Sequence, residues 1–275
     1  MALVGARLFV ALDAHAVTAA SVGSGLGGAR LRGFARAPLA PGALVPSPSS
    51  ASLVRPDEVR AAIRRAVDEA GCGGLRATLV LPDGLARLAL LSLPADADAR
   101  DFVRFRLAPA LPWPAADSMV DVLAVARGRV AAAALRRAAV AEHEQALAAA
   151  GVDLDRVHLA PLLALQGALR LGPREAVHVL LGDAAACLVA VHEGEPVGLR
   201  SRRRDASAGE AARLLEEAIR TAGLSGNGVQ QPPVLFYGAD ASRLRGETGA
   251  AEVAGAPADE RPGAGEAAWL RGALT

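Results

Sequence analysis

Apolar residues run from Leu8 to Leu12 and stop at Asp13, and a second apolar run covers residues 17–23. After the glycine-rich stretch 24–28, residues 29–37 alternate, with Leu31 and Phe34 set among Arg30, Arg32 and Arg36. Short apolar runs with Gly-rich turns between them predict three hairpin-linked strands. Residues 38–52 read as a Pro/Ser-rich loop. Pro56-Asp57-Glu58 then opens a helix with Pro at its first position and acids in its first turn. Val59, Ala62, Ile63, Ala66, Val67 and Ala70 recur at helical spacing, and Gly71 ends the run. A strand over 75–81 ends at Pro82, and another over 85–93 ends at Pro94.

Residues 96–110 predict a helix broken by Leu111-Pro112-Trp113-Pro114. Strands over 119–125 and 130–135 form a hairpin, followed by a helix over 138–150, a strand over 154–159 and a helix over 161–171. Three more strands follow, over 176–181, 187–192 and 196–203. A helix over 207–222 carries Ala211, Leu214, Leu215, Ala218, Ile219 and Ala222 on one face. A loop over 223–231, a strand over 233–237 and the segment 240–245 complete the pattern. Three strands, a helix and a strand therefore occur twice, with a mixed helix–strand block between the two sets.

Composition narrows the chemistry. The 275 residues suffice for one large or two ordinary domains. Thirty basic against 29 acidic residues leave no global attraction to nucleic acid or anionic membrane. Every basic residue is arginine, so Walker-type, Schiff-base and kinase lysine chemistry is excluded. Cys72 and Cys187 have neither metal nor disulfide spacing and read as packing residues. The opening apolar run is short and lacks a basic cluster, which argues against a secretory leader. No run approaches the roughly 18 apolar residues of a membrane helix. A cytoplasmic location is expected.

The duplicated β-β-β-α-β order resembles the actin-like, ribonuclease-H-like fold. Particular segments narrow the resemblance to the PilM-like family of type IV pilus assembly. Val10-Ala11-Leu12-Asp13-Ala14-His15-Ala16-Val17 looks like that family's first phosphate turn. Leu79-Val80-Leu81-Pro82-Asp83 with Leu91-Ser92-Leu93-Pro94, and Leu111-Pro112-Trp113-Pro114 leading to Val120-Asp121, are similar to its middle section. Ala133-Ala134-Leu135-Arg136-Arg137 and Ala160-Pro161 resemble the stretches that follow. The resemblance spans about residues 8–245 and rests on order and spacing. It implies a first lobe over 1–94, an inserted small α/β subdomain over 95–160 and a reduced second lobe over 161–247, with a flexible tail over 248–275. The fourth subdomain of the family has no room between Arg203 and the 207–222 helix, a reduction shared with the cytoplasmic region of GspL-type secretion proteins.

The resemblance also places a nucleotide site at Asp13, Gly182, Asp183 and Gly238. Two glycine-bearing turns would present backbone N–H groups to phosphates, with acids organising the metal. His15 stands where the family has glycine, and Leu180 stands where it has an acid. A Cβ at His15 obstructs close phosphate approach, so the site is expected to be degenerate: no cofactor is expected, ATP with magnesium being the alternative. The resemblance further implies that a cytoplasmic N-terminal peptide of a PilN-like inner-membrane protein binds near Pro82, Arg87, Phe102, Phe105 and Trp113. The protein is thus expected to be a scaffold rather than an enzyme. Two alternatives stay open, a GspL-like secretion scaffold and an actin-fold ATPase or sugar kinase.

Other constellations are weaker. Gly23-Ser24-Gly25-Leu26-Gly27-Gly28 contains GxGxxG, but no helix and no spaced acid follows, so it reads as a hairpin turn. Glu142-His143-Glu144 reads as a surface stretch, and His178 and His192 could meet on neighbouring strands. The run Arg200, Arg202, Arg203 and Arg204 reads as a solvated strand end without the interleaved aromatics of a nucleic-acid site. Trp113, between two prolines, is either a subdomain core residue or a partner anchor.

Overall fold

The structure is a computed structural model and describes residues 6–25, 28–126, 128–204, 209–223, 232–238, 240–248 and 267–274. Strands β1 (Ala6–Leu12), β2 (Ala16–Gly25) and β3 (Gly28–Pro38) form an antiparallel meander. The glycine-rich stretch is its hairpin: Gly25 pairs with Gly28, the tip at 26–27 lying outside the described residues. Helix α1 (Pro56–Glu69) crosses to β4 (Ala77–Leu81), which lies parallel to β1. The α1 C-terminus closes as the sequence predicts. Gly71 has φ +66 and Cys72 N–H donates to Val67 O at 3.1 Å, so two end carbonyl groups are satisfied by a left-handed cap.

The chain repeats this plan. Strands β9 (Ala176–Leu181), β10 (Ala185–His192) and β11 (Glu195–Arg203) form a second meander, and α5 (Glu210–Gly223) leads to β12 (Val234–Gly238), parallel to β9. The first sheet reads β3-β2-β1-β4-β8 and the second β11-β10-β9-β12, with β8 being Leu154–Leu159. All residues of β4 and β9 are buried, as expected of strands with both faces covered. Residues of β1, α1 and β10 share one apolar core with α4 (Ala160–Leu171), so the two lobes are packed together through that helix.

A third sheet, β5-β7-β6, is built from β5 (Ala86–Ser92), β6 (Ser118–Ala126) and β7 (Arg129–Arg136). Helix α2 (Ala99–Leu107) covers one face, with Val103 and Leu107 against Val130, Ala132 and Ala134. Asp98 caps it, accepting from the Arg100 and Asp101 amides. The opposite face sends Ala131, Ala133 and Leu135 into the main core. Arg129 Nη1 donates to Pro196 O of β11 at 2.9 Å and ties the small sheet to the second lobe.

Two strands lie elsewhere than the expected boundaries at 94 and 160 suggest. β5 belongs to the small sheet, while β8 pairs in parallel with β4 in the first sheet. Each strand's own pattern is compatible with either sheet; the short 3-10 turn Asp83–Leu85 after β4 redirects the chain. The expected flexible tail is also only part of the picture. Residues 249–266 lie outside the described residues, but residues 267–274 pack, and the short helix Leu270–Ala273 rests on α4.

Several side chains depart from the sequence reading. His143 is fully buried on α3 (Arg137–Ala149), because it shares a face with Ala139, Val140, Ala146 and Leu147. Its neighbour Glu142 accepts from the Ser52 and Leu53 amides and fastens the 38–52 loop. His178 bonds to Tyr237 and His192 to Glu175, so the two histidines do not meet. Among the described residues no helix is long and apolar enough to cross a membrane.

Candidate functional site

The ends of β1 and β4 face the ends of β9 and β12 across a cleft between the lobes. Two hairpin turns point at one another there. Asp13 N–H donates to Ala16 O at 3.0 Å and closes the first; Gly182 N–H donates to Ala185 O at 2.9 Å and closes the second. Residues 10–17 and 180–185 turn here because each apolar strand ends at a small or acidic residue that can leave the ladder.

The turns are linked reciprocally. Asp13 Oδ1 accepts from Ala14 N–H at 2.8 Å, and Oδ2 accepts from Asp183 N–H at 3.2 Å. In return, His15 N–H donates to Asp183 Oδ2 at 3.3 Å, and Arg36 Nη2 lies 3.5 Å from Asp183 Oδ1. The Asp183 side chain is only 8% exposed.

A third carboxylate completes the acidic end. Asp83 is buried, and its Oδ1 and Asp13 Oδ2 stand 3.4 and 3.7 Å from where a Cβ on Gly182 would sit. A Cβ at Gly182 would come into ordinary van der Waals contact with both acids. Burial raises the Asp13 carboxyl to about 6, with repulsion from Asp183 adding to the rise. Burial raises Asp83 to about 7, with Asp13 adding to it. Among the described residues, no group of three or more His, Cys, Asp or Glu side chains is arranged to hold a metal ion.

A buried arginine braces the second turn. Arg204 Nη1 donates to Gly182 O at 2.8 Å, while its Nε and Nη2 hold Glu210 and Asp240 at 3.0 and 2.8 Å. The side chains of Arg204 and Glu210 are 5% and 3% exposed. The last member of the arginine run is thus an internal tie, and Arg200 pairs with Glu217 at 2.6 Å.

Gly238, paired with Leu181 beside the second turn, adopts φ +94 close to Leu181 O and Ala268, and a Cβ there would collide with both. Trp269 packs on Phe9 with ring centroids 6.1 Å apart. The cavity in the cleft is small, about 50 Å³. That is room for a few waters.

The sequence-predicted residues Asp13, Gly182 and Asp183 come together in the cleft, and Gly238 lies behind the second turn, paired with Leu181. The predicted partner residues do not form one surface. Pro82 is buried and lines the cleft. Trp113 is buried, its Nε1 donating to Ser118 Oγ at 2.9 Å, so it is a subdomain core residue. Arg87 is exposed on β5, Phe102 is half-buried and Phe105 is 76% exposed on α2. Asp83, Arg204 and Trp269 are site residues that sequence reasoning missed. An acid following a strand-ending proline was the one available signal for Asp83.

Comparison with protein-family models finds no match, and no curated protein matches the chain. Solved structures do match. A chain of the PilM–PilN type IV pilus biogenesis complex superposes with TM-score 0.64 at 21% identity, over 87% of this chain and 83% of that one. The cytoplasmic domain of EpsL, an inner-membrane component of the Vibrio cholerae type II secretion system, matches with TM-score 0.54 at 12% identity, over 85% and 82%. A Bacteroides thetaiotaomicron protein of actin-like ATPase fold and unknown function matches with TM-score 0.54 at 10% identity, over 88% and 86%. The chain has an actin-like fold in reduced form.

Proposed function

We propose that this chain is a cytoplasmic scaffold of a type IV pilus-like assembly machine. It binds the N-terminal cytoplasmic peptide of a PilN-like inner-membrane protein and has no working nucleotide site. The observation that carries the reading is the likeness over 87% of the chain to the PilM–PilN complex. The small sheet adds support, since Phe105 stands 76% exposed on α2. A large apolar side chain held out to solvent on a rigid helix suits an extended peptide.

The residues of the cleft do not fit ATP with magnesium. His15 replaces glycine, Asp183 occupies the amide of the first turn, and Ala268 abuts Gly238. The Asp13 and Asp183 carboxylates at the turns would repel phosphate. These features support the non-catalytic reading. Phosphate release from ATP above background would favour an ATPase instead.

The test is titration of a fluorescent PilN-like N-terminal peptide into the full chain. Saturable binding is expected, weakened about tenfold or more in a Phe105→Ala variant. No binding, or equal binding by the variant, overturns the assignment. The likeness to the EpsL cytoplasmic domain favours a secretion scaffold as the second reading, and preferential binding of a peptide from a secretion partner would support it.

A further inference from the structure

A backbone N–H at a tight turn with an arginine beside it is an anion-binding arrangement. In this cleft the anion already present belongs to the chain itself. The Asp183 carboxylate receives His15 N–H through one oxygen and faces Arg36 with the other, at 3.3 and 3.5 Å. The carboxylate is almost wholly buried, and a buried charge is tolerated only where donors of this kind meet it.

We infer that Asp183 is an internal anion that fills the oxyanion position of the first turn and latches the two lobes together. The latch is two-way, since the Asp183 amide donates in turn to Asp13 Oδ2 at 3.2 Å. An external phosphate would have to displace a tethered carboxylate and enter beside Asp13 and Asp83. Ala267, Ala268 and Trp269 line the same cleft, with Ala268 against Gly238 and Trp269 against Phe9. Opening the lobes for any oxyanion therefore begins with release of Asp183.

This inference deepens the reading of a non-functional nucleotide site and does not depend on peptide binding. Its test uses the full chain and its Asp183→Ala and Asp183→Asn variants, titrated calorimetrically with inorganic phosphate and separately with magnesium-ATP. The parent is expected to bind neither. Asp183→Ala is expected to acquire phosphate binding at least about tenfold tighter than the parent's, and to lose it again when Arg36→Gln is added. Hydrogen exchange at the His15 amide is expected to quicken about tenfold or more in Asp183→Ala. If the alanine variant does not fold, Asp183→Asn carries both measurements, with phosphate binding and faster exchange again expected. A folded Asp183 variant with unchanged phosphate binding and an equally protected His15 amide overturns the internal-anion assignment alone. Tight magnesium-ATP binding by the parent overturns the non-nucleotide reading as well.

Discussion

The guanidinium of Arg204 donates to the Gly182 carbonyl at 2.8 Å while clasping Glu210, so one buried side chain joins a turn, the start of α5 and the Asp240 segment. Removing it takes from Glu210, 3% exposed, its hydrogen bonds at 3.0 and 3.1 Å. An Arg204→Ala variant should lose about 3–5 kcal/mol of stability, the cost of breaking a buried pair. Urea unfolding measures it. Arg204→Lys should recover only part, because a point charge cannot span three acceptors. A loss under about 1 kcal/mol in the alanine variant would contradict this role.

Asp83 makes the stability of the fold depend on pH. Its carboxyl, raised to about 7 by burial, keeps a proton that the unfolded chain releases near 3.8. Between those values the folded chain binds more protons, so stability falls as pH rises through that window. Asp83→Asn is neutral throughout. It should flatten that slope and exceed the parent at pH 8 by on the order of 1–3 kcal/mol. Equal slopes in parent and variant would refute the assignment.

His143 acts in the opposite sense. Burial holds its imidazole below the usual 6.5, although the Ala139 carbonyl and Glu142 pull the other way. As pH falls below 6.5 the unfolded chain takes up a proton that the folded chain refuses, so stability declines toward acid. Its Nδ1 donates to Ala139 O at 2.8 Å, and its Nε2 is buried without a partner among the described residues. Replacing both polar atoms by an apolar side chain should cost little. His143→Leu should lie within about 1 kcal/mol of the parent at neutral pH and lose less stability on acidification. Thermal melts across pH 5 to 7 decide it; unchanged acid sensitivity counts against the prediction.

Trp269 anchors the C-terminal segment on Phe9, Val80 and Leu163. Trp269→Ala should cost about 3–5 kcal/mol, as for other buried large aromatics. Guanidinium unfolding followed by circular dichroism tests it, with Trp113→Phe as the control. That control removes the hydrogen bond to Ser118 and part of a buried ring, and should cost about 1–2 kcal/mol. If Trp269→Ala is no more harmful than the control, the segment does not stabilise the first lobe.

Local pattern was a reliable guide to the elements. Pro56 and Gly71 mark the ends of α1, and the apolar strands ending at Asp13, Pro82 and Gly182 are all present. The family resemblance that their doubled order carries was what placed Asp13, Gly182 and Asp183 in one site. The partner surface was less legible. Trp113 and Phe105 are both aromatic residues near prolines in sequence, yet one is 8% and the other 76% exposed. Helical spacing shows which residues share a face but not which face is covered, and so His143 read as a surface residue.

The sequence by itself determined the strands, helices and turns, because periodicity, proline and glycine act within a few residues. It also determined the duplicated order, and with it the actin-like fold. Only the tertiary structure decided which sheet received β5 and β8, since edge pairing depends on distant partners. Only it brought Asp183 onto the His15 amide, Asp83 beside Asp13 and Trp269 onto Phe9. Those contacts join residues roughly 70 to 260 positions apart, where charge, burial and packing act through space rather than along the chain.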